Sequence, residues 1–246
     1  MPRILRLAGV VRQGVLEAGV RGYMQELANA IAERYYERKL SIDTRGGVPV
    51  PQLDRSLPDS LDYVPITYRA LMSCFRKVHL HPGKSEFLDY GAGKGRAVVF
   101  AATLPFARVW GVELSPSLAA QARENIKSAS PLRCRAVEIL EMNAADFEVP
   151  DAVDVIYMFK PFLGATLVAT IDQIRASYLR SPRAIHIVVF NDEPFQDSVE
   201  GQDWLRKIHT STLDAWSRAP IAFGIYATEP RPPASHNDAW HGVQED

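Results

Sequence analysis

The stretch FLDYGAGKGRAVVFAA, residues 87–102, runs from an apolar segment through an acid into three glycines set one residue apart, and then into a helical pattern. That order opens a parallel βαβ unit and puts the turn at the carboxyl end of a strand, where open α/β sheets bind their ligands. Glycine permits positive φ and lets another group approach the main chain closely. The spacing then separates possible ligands. A dinucleotide fingerprint runs G-x-G-x-x-G, but Arg96 stands where the third glycine would fall. A phosphate loop needs G-x-x-x-x-G-K-[ST], which Gly91-Ala-Gly-Lys-Gly-Arg-Ala does not supply. Both nucleotide-phosphate readings lose ground.

From residue 86 onward, short apolar runs alternate with helical segments, the pattern of a parallel sheet with crossover helices. Strands are expected near 86–90, 108–113, 136–141, 153–159 and 184–190, with helices near 94–104, 116–128, 164–179 and 196–201. WLRKIHTSTL and IAFGIYATE read as two more strands, joined by a turn around Pro220 into an antiparallel hairpin. Upstream, Val11, Val15, Val20, Met24, Leu27, Ile31 and Tyr35 recur at helical spacing, and TYRALMSCFRKV forms another helix with Thr67 as its cap. Between them, residues 40–66 hold Gly46, Gly47, Pro49, Pro51, Pro58 and Pro65 and read as an irregular lead-in. The expected organisation is N-terminal helices and lead-in over 1–66, an α/β domain over 67–230 and a poorly ordered tail over 231–246. The fold class is α/β, a Rossmann-like doubly wound sheet of seven strands with a terminal antiparallel hairpin.

Composition bounds the partners. With 28 Lys+Arg against 29 Asp+Glu the net charge is −1, so no global field gathers nucleic acid, and no nucleic-acid partner is expected. The two cysteines, Cys74 and Cys134, cannot build a disulfide framework, which suits a reducing, cytoplasmic setting. No metal-ligand spacing appears. No window reaches the ~20 apolar residues of a membrane span, and the opening residues read as a helix, not a signal.

A second acid completes the pattern. RVWGVELSP ends the second strand at Glu113, placed to accept two hydrogen bonds from a ribose diol. With DYGAGKG and GVELSP at this separation, residues 86–190 resemble the core of the class I S-adenosylmethionine-dependent methyltransferases. The resemblance implies S-adenosylmethionine as cofactor and an as yet unidentified methyl acceptor, a protein side chain or a small molecule. It implies that Asp89 and the backbone around Gly91, Ala92 and Gly93 hold the amino-acid end of the cofactor. Gly95 allows close packing of the loop on a helix, Glu113 binds the ribose and Leu114 lies against the adenine. In VEILEMNAADF, Asn143 and the Ala144 N–H take the place of an adenine-contacting acid, with Asp146 as competitor.

The fourth strand ends in DVIYMFKPF, where substrate chemistry is sited in this fold. Phe159 belongs to the cofactor set, and Lys160, Pro161 and Phe162 to the substrate set. The run resembles the Asn-Pro-Pro-Tyr of amine-methylating enzymes, but Lys160 replaces the Asn, which puts nucleobase methylation in doubt. DTRGGVPVPQLD, DYVPITYRAL, YMFKPF and VVFND further resemble a bacterial group related to the class I-fold protein-lysine methyltransferases. There, the segment bearing Tyr63 and Tyr68 would fold over the cofactor, since ring faces attract a sulfonium. Catalytic candidates are Lys160, Tyr63 and Tyr68. Asn191 emerges after the fifth strand as a substrate candidate, while His186, His209, Arg45 and Arg96 read as structural. Two other functions stay open: a non-catalytic cofactor-binding module, and a nucleotide-dependent oxidoreductase. The N-terminal helices either cap the site or pair two chains into a homodimer.

Overall fold

The computed structural model describes residues 2–213 and 221–230, with side chains from residue 19 onward apart from residue 21. Seven strands form one sheet in the order β3-β2-β1-β4-β5-β7-β6. They are β1 Glu86–Tyr90, β2 Arg108–Glu113, β3 Val137–Glu141, β4 Val153–Phe159, β5 His186–Phe190, β6 Arg206–Leu213 and β7 Ile221–Ala227. The first five run parallel, β7 lies antiparallel to β5, and β6 antiparallel to β7. The expected doubly wound sheet with its terminal hairpin is therefore present. The turn around Pro220 and the tail over 231–246 lie outside the described residues.

Because neighbouring side chains on a strand alternate between faces, β1 divides its residues between two cores. Phe87 packs with Val155, Tyr157 and Phe190 on one face, against α2 Tyr68–Phe75 and α3 Arg96–Ala102. Leu88 and Tyr90 pack with Ile156, Met158 and the inner side of α5 Gly164–Arg180 on the other. The order reverses between β1 and β4, since β2 and β3 continue to one side and β4 and β5 to the other. A crevice opens at such a switch point beyond the carboxyl ends of the strands.

Local chemistry sets the helix boundaries. The Thr67 side chain accepts from the Ala70 N–H to start α2 as expected, and Ser115 accepts from the Leu118 N–H to start α4 Pro116–Ser128. The helix expected at 94–104 begins only at Arg96, because Gly93 and Gly95 are held at φ 53° and 82°. The one expected at 196–201 is α6 Glu193–Val199, which begins earlier because Pro194 favours the first helical turn.

The long helix α1 Pro2–Leu40 is broken at Gly19, whose backbone is not helical. Beyond the break, its apolar stripe does not face the protein: Val20, Met24, Leu27, Ile31 and Tyr35 are exposed. The inward face instead carries Glu33, Glu37, Tyr36 and Leu40. These carboxylates grip Arg96, which is 4% exposed. Its guanidinium pairs with Glu33 and, at 3.1 Å, with Glu37. It also donates to Thr44 Oγ1 and the Ile66 carbonyl, and lies 4.6 Å from the centre of the Tyr68 ring. Glu37 accepts in turn from the Thr44 N–H and hydroxyl and from the Tyr68 hydroxyl. Arg96 is a structural arginine, as expected, but Tyr68 is corrected from catalytic candidate to part of this buried cluster.

Removing one member of a buried ion network leaves the others charged and unpaired, which costs about 3–5 kcal/mol. Arg96→Met is expected to destabilise the protein by that amount in urea unfolding. A loss under 1 kcal/mol would show that α1 is not held this way.

Candidate active site

The glycine loop lies at the crevice, and its hydrogen bonds reveal the kind of charge it can receive. Gly91 and Ala92 both donate N–H to the Val112 carbonyl, Gly93 donates to Glu113 Oε2 at 2.7 Å, and Gly95 donates to the Ala92 carbonyl. These donors are spent on β2 and within the loop. The carbonyls of Gly91 and Gly93 accept none of the described hydrogen bonds. A loop that offers carbonyls and has no free amides at these positions suits a cation, not a phosphate. This agrees with the rejection of both nucleotide fingerprints.

The positive φ of the glycines serves close packing as well. A Cβ on Gly91 would run into Pro161, and one on Gly93 into the Tyr63 ring. At Gly95 it would stand 3.1 Å from Ala122 Cβ of α4, the close loop-to-helix packing anticipated for that position. Gly91 and Gly93 therefore admit protein side chains where the sequence suggested a ligand's approach to the backbone.

Two acids carry the site's charge. Asp89 ends its side chain in the crevice from the same face of β1 as Phe87, and it is 3% exposed. Burial pushes its pKa well above the ordinary 3.8, the Glu113 charge adds to the rise, and no hydrogen bond offsets it. Glu113 is also buried and raised from 4.5, again chiefly by burial, although the N–H groups of Ser115 and Gly93 partly counter this. Each Glu113 oxygen accepts one of those N–H groups, which leaves lone pairs free for a diol.

A roof crosses this crevice. Asp54 accepts from the Ser115 hydroxyl and the Ser117 N–H at the start of α4. Five residues on, Asp59 accepts from the Thr166 N–H at 2.8 Å in the first turn of α5. The chain from 53 to 66 thus spans from the β2 side to the β4 side as a strap. Ser60 bridges to Phe162, and the Tyr63 hydroxyl donates to the Thr44 carbonyl at 2.8 Å. The cavity beneath holds about 920 Å³ of space, adjoining solvent included.

Most of the anticipated positions meet on its wall: Tyr63, Asp89, Gly91, Ala92, Glu113, Leu114, Asn143, Ala144, Phe159, Lys160, Pro161 and Phe162. Asn143 stands there, and the competing Asp146 does not. Its Oδ1 is already committed to the Ala145 N–H, however, so its amide nitrogen is the freer group. Gly93 and Gly95 support the loop from outside the wall, and Tyr68 and Asn191 are not on it. Asn191 is held at φ 50° with its N–H on the Ala222 carbonyl. Lys160, exposed at φ 47°, stands at the mouth. Sequence reasoning missed the strap's anchors, Asp54 and Asp59, and also Tyr157 on the wall. An acid one residue after Leu53 and another after Pro58 carry no motif; only the fold brings them to helix N-termini.

A doubly wound sheet of this order, with a glycine loop after β1 and a carboxylate at the end of β2, is the arrangement implied by the resemblance to the class I S-adenosylmethionine-dependent methyltransferases. Residues 87–178 match the family described as methyltransferase domain, and the chain carries that domain. Among solved structures it is similar to an RNA methyltransferase from Salinibacter ruber in complex with S-adenosyl-L-homocysteine. That likeness has a TM-score of 0.50 and 18% identity, and covers 70% of this chain and 98% of the other. It is similar also to a precorrin-6y C5,15-methyltransferase from Geobacter metallireducens GS-15, at TM-score 0.50 and 16% identity over 73% and 94% of the two chains. A third is a ribosomal protein methylase from Lactobacillus delbrueckii subsp. bulgaricus, at TM-score 0.50 and 13% identity over 65% and 77%. At such identities the likeness is one of fold. No curated protein matches the sequence.

The raised carboxyls give binding a pH dependence. A cation is held by the ionised acids, and both bind protons above their ordinary values of 3.8 and 4.5. Affinity for S-adenosylhomocysteine, which carries an ammonium, is expected to fall as pH drops from neutrality, beginning above the usual carboxylate range. The unliganded fold responds with the opposite sign from these two groups: an acid with a raised folded pKa takes up a proton more readily when folded, so acidification relieves its cost. Calorimetric titrations across a pH series check the first expectation. A flat profile down to the ordinary carboxylate values would contradict it.

Proposed function

We propose that this domain binds S-adenosylmethionine across the carboxyl ends of β1 and β2 and directs its methyl group to an acceptor entering between the strap and the Phe159–Phe162 turn. The observation that carries the reading is the pair of buried carboxylates, Asp89 and Glu113, facing a cavity with no cation paired to either among the described residues. Buried charge without a counter-charge is costly, and a cationic ligand would remove that cost. When bound, the cofactor supplies a methyl group on a sulfonium, open to in-line attack. Asp89 and the free loop carbonyls would hold the ammonium, Glu113 the ribose hydroxyls, and Leu114 and the Asn143 amide the adenine.

The protein's remaining task is alignment and the exclusion of water. Tyr63, laid on Gly93 and tied to Thr44, closes the loop side, and Phe159, Pro161 and Phe162 form an apolar wall on the other. The exposed Lys160 stands at the mouth, where it would meet an incoming acceptor. A protein side chain or a small molecule is the favoured acceptor. The likeness of the flanks to the group related to protein-lysine methyltransferases supports this, as does the balanced net charge, which gives no global field to gather nucleic acid. A cytoplasmic location is supported by the two buried, unpaired cysteines. Among the described residues no helix is long and apolar enough to cross a membrane.

A homodimer through α1 is part of the proposal. Val20, Met24, Leu27, Ile31 and Tyr35 are spaced four, three, four and four residues apart, the seam of a helix that pairs with another like itself. Most of the exposed large hydrophobics from Val20 onward that lie on helices belong to this seam. Sedimentation equilibrium should give twice the chain mass, and Ile31→Glu should return it to one. A monomeric wild-type protein would rule the pairing out.

For the cofactor site, Glu113→Ala should weaken S-adenosylhomocysteine binding by roughly 1–3 kcal/mol, about five- to 150-fold in Kd. Glu113→Gln, which keeps an acceptor for one backbone N–H, should weaken it less. Calorimetry reads both, and unchanged affinity in the Ala variant would remove Glu113 from the site.

A further inference from the structure

Tyr157 is the most buried polar side chain on the cavity wall with no account so far. It sits in the middle of β4, is 2% exposed, and its hydroxyl has no hydrogen-bond partner among the described residues. A buried hydroxyl left unpaired destabilises a fold, and native structures rarely keep one without a use. Phenylalanine would fill the same space between Phe87 and Phe190, whose rings lie 6.1 and 5.8 Å from that of Tyr157, and would carry no such cost.

Its placement gives the hydroxyl a use. In the β1–β4 ladder Tyr157 is the direct partner of Asp89, so the two side chains leave the same face of the sheet side by side. Both line the cavity. Cys74 and Ala97 belong to the same buried cluster as Tyr157, on the face of the sheet from which Asp89 also projects. Tyr90 provides an internal contrast. Its hydroxyl is also unpaired, but its side chain packs with Phe147 and Phe162 on the other face and does not line the cavity.

We infer that Tyr157 is a cofactor-contacting residue, its hydroxyl hydrogen-bonding the amino-acid end of S-adenosylmethionine beside Asp89. The inference rests on the reading of Asp89 given above. A phenol can donate to the carboxylate of that end or accept from its ammonium, so it suits a zwitterion that a lone carboxylate can hold at only one pole.

The test uses Tyr157→Phe, Tyr90→Phe and the wild-type chain, each titrated calorimetrically with S-adenosylhomocysteine and with 5′-methylthioadenosine, which lacks the amino-acid end. The melting temperature of each unliganded protein is read alongside. Tyr157→Phe should bind S-adenosylhomocysteine three- to tenfold more weakly, bind methylthioadenosine as wild type does, and melt no lower than wild type. Tyr90→Phe should leave both affinities unchanged. Equal affinity of wild type and Tyr157→Phe for S-adenosylhomocysteine, or an equal loss on both ligands, would overturn the assignment. Failure of the wild-type chain to bind S-adenosylhomocysteine would instead overturn the cofactor reading on which it depends.

Discussion

The guanidinium of Arg96 joins three parts of the chain that are far apart in sequence. It stands in the first turn of α3, directly behind the glycine loop, and is enclosed by Glu33 and Glu37 of α1, Thr44 of the lead-in and the Ile66 carbonyl before α2. A buried arginine keeps its charge, so its surroundings must supply both countercharge and acceptors. Here α1 supplies the charge and the lead-in the acceptors. The irregular segment between them is consequently pinned at both ends, at Thr44 and Ile66, and the strap over the cavity hangs between those points.

That arrangement accounts for the use made of the glycines. The strap brings Tyr63 down on Gly93, and the turn after β4 brings Pro161 against Gly91. Side chains at either glycine would push the roof away from the loop. The Asp89 and Glu113 carboxylates line the cavity, while the Gly91, Ala92, Gly93 and Gly95 amides are turned to internal partners. The resulting field favours a cation. A sulfonium cofactor with an ammonium at one end is a natural complement, and nucleotide phosphates are not.

The acceptor is a different matter, because a methyltransferase of this kind contributes positioning more than reactive groups. The three solved structures of similar fold act on an RNA, a corrin precursor and a ribosomal protein, as their descriptions state. A shared fold thus goes with unrelated acceptors, and in this chain the strap and the β4 turn place Arg55, Leu57 and Lys160 on the cavity wall.

The sequence by itself determined the sheet. Parallel strands buried on both faces read as short apolar runs, and DYGAGKG followed by GVELSP ties two of them to a ligand edge, so strand positions and the Asp89–Glu113 pair were legible without coordinates. These are local signals: periodicity, glycine spacing and the residue ending a strand. Only the tertiary structure decided which face of α1 turns inward. Its periodic apolar stripe marked an amphipathic helix, yet the acidic face is buried, because Arg96 lies beneath it and a countercharge there outweighs the burial of Ile31 or Leu27. Tertiary structure also separated Tyr63 from Tyr68, two tyrosines in one motif-like segment, sending the first to the cavity and the second to the Arg96 cluster. Asp54, Asp59 and Tyr157 acquire their roles only across long separations in the chain, through helix N-termini and a strand register that no local pattern encodes.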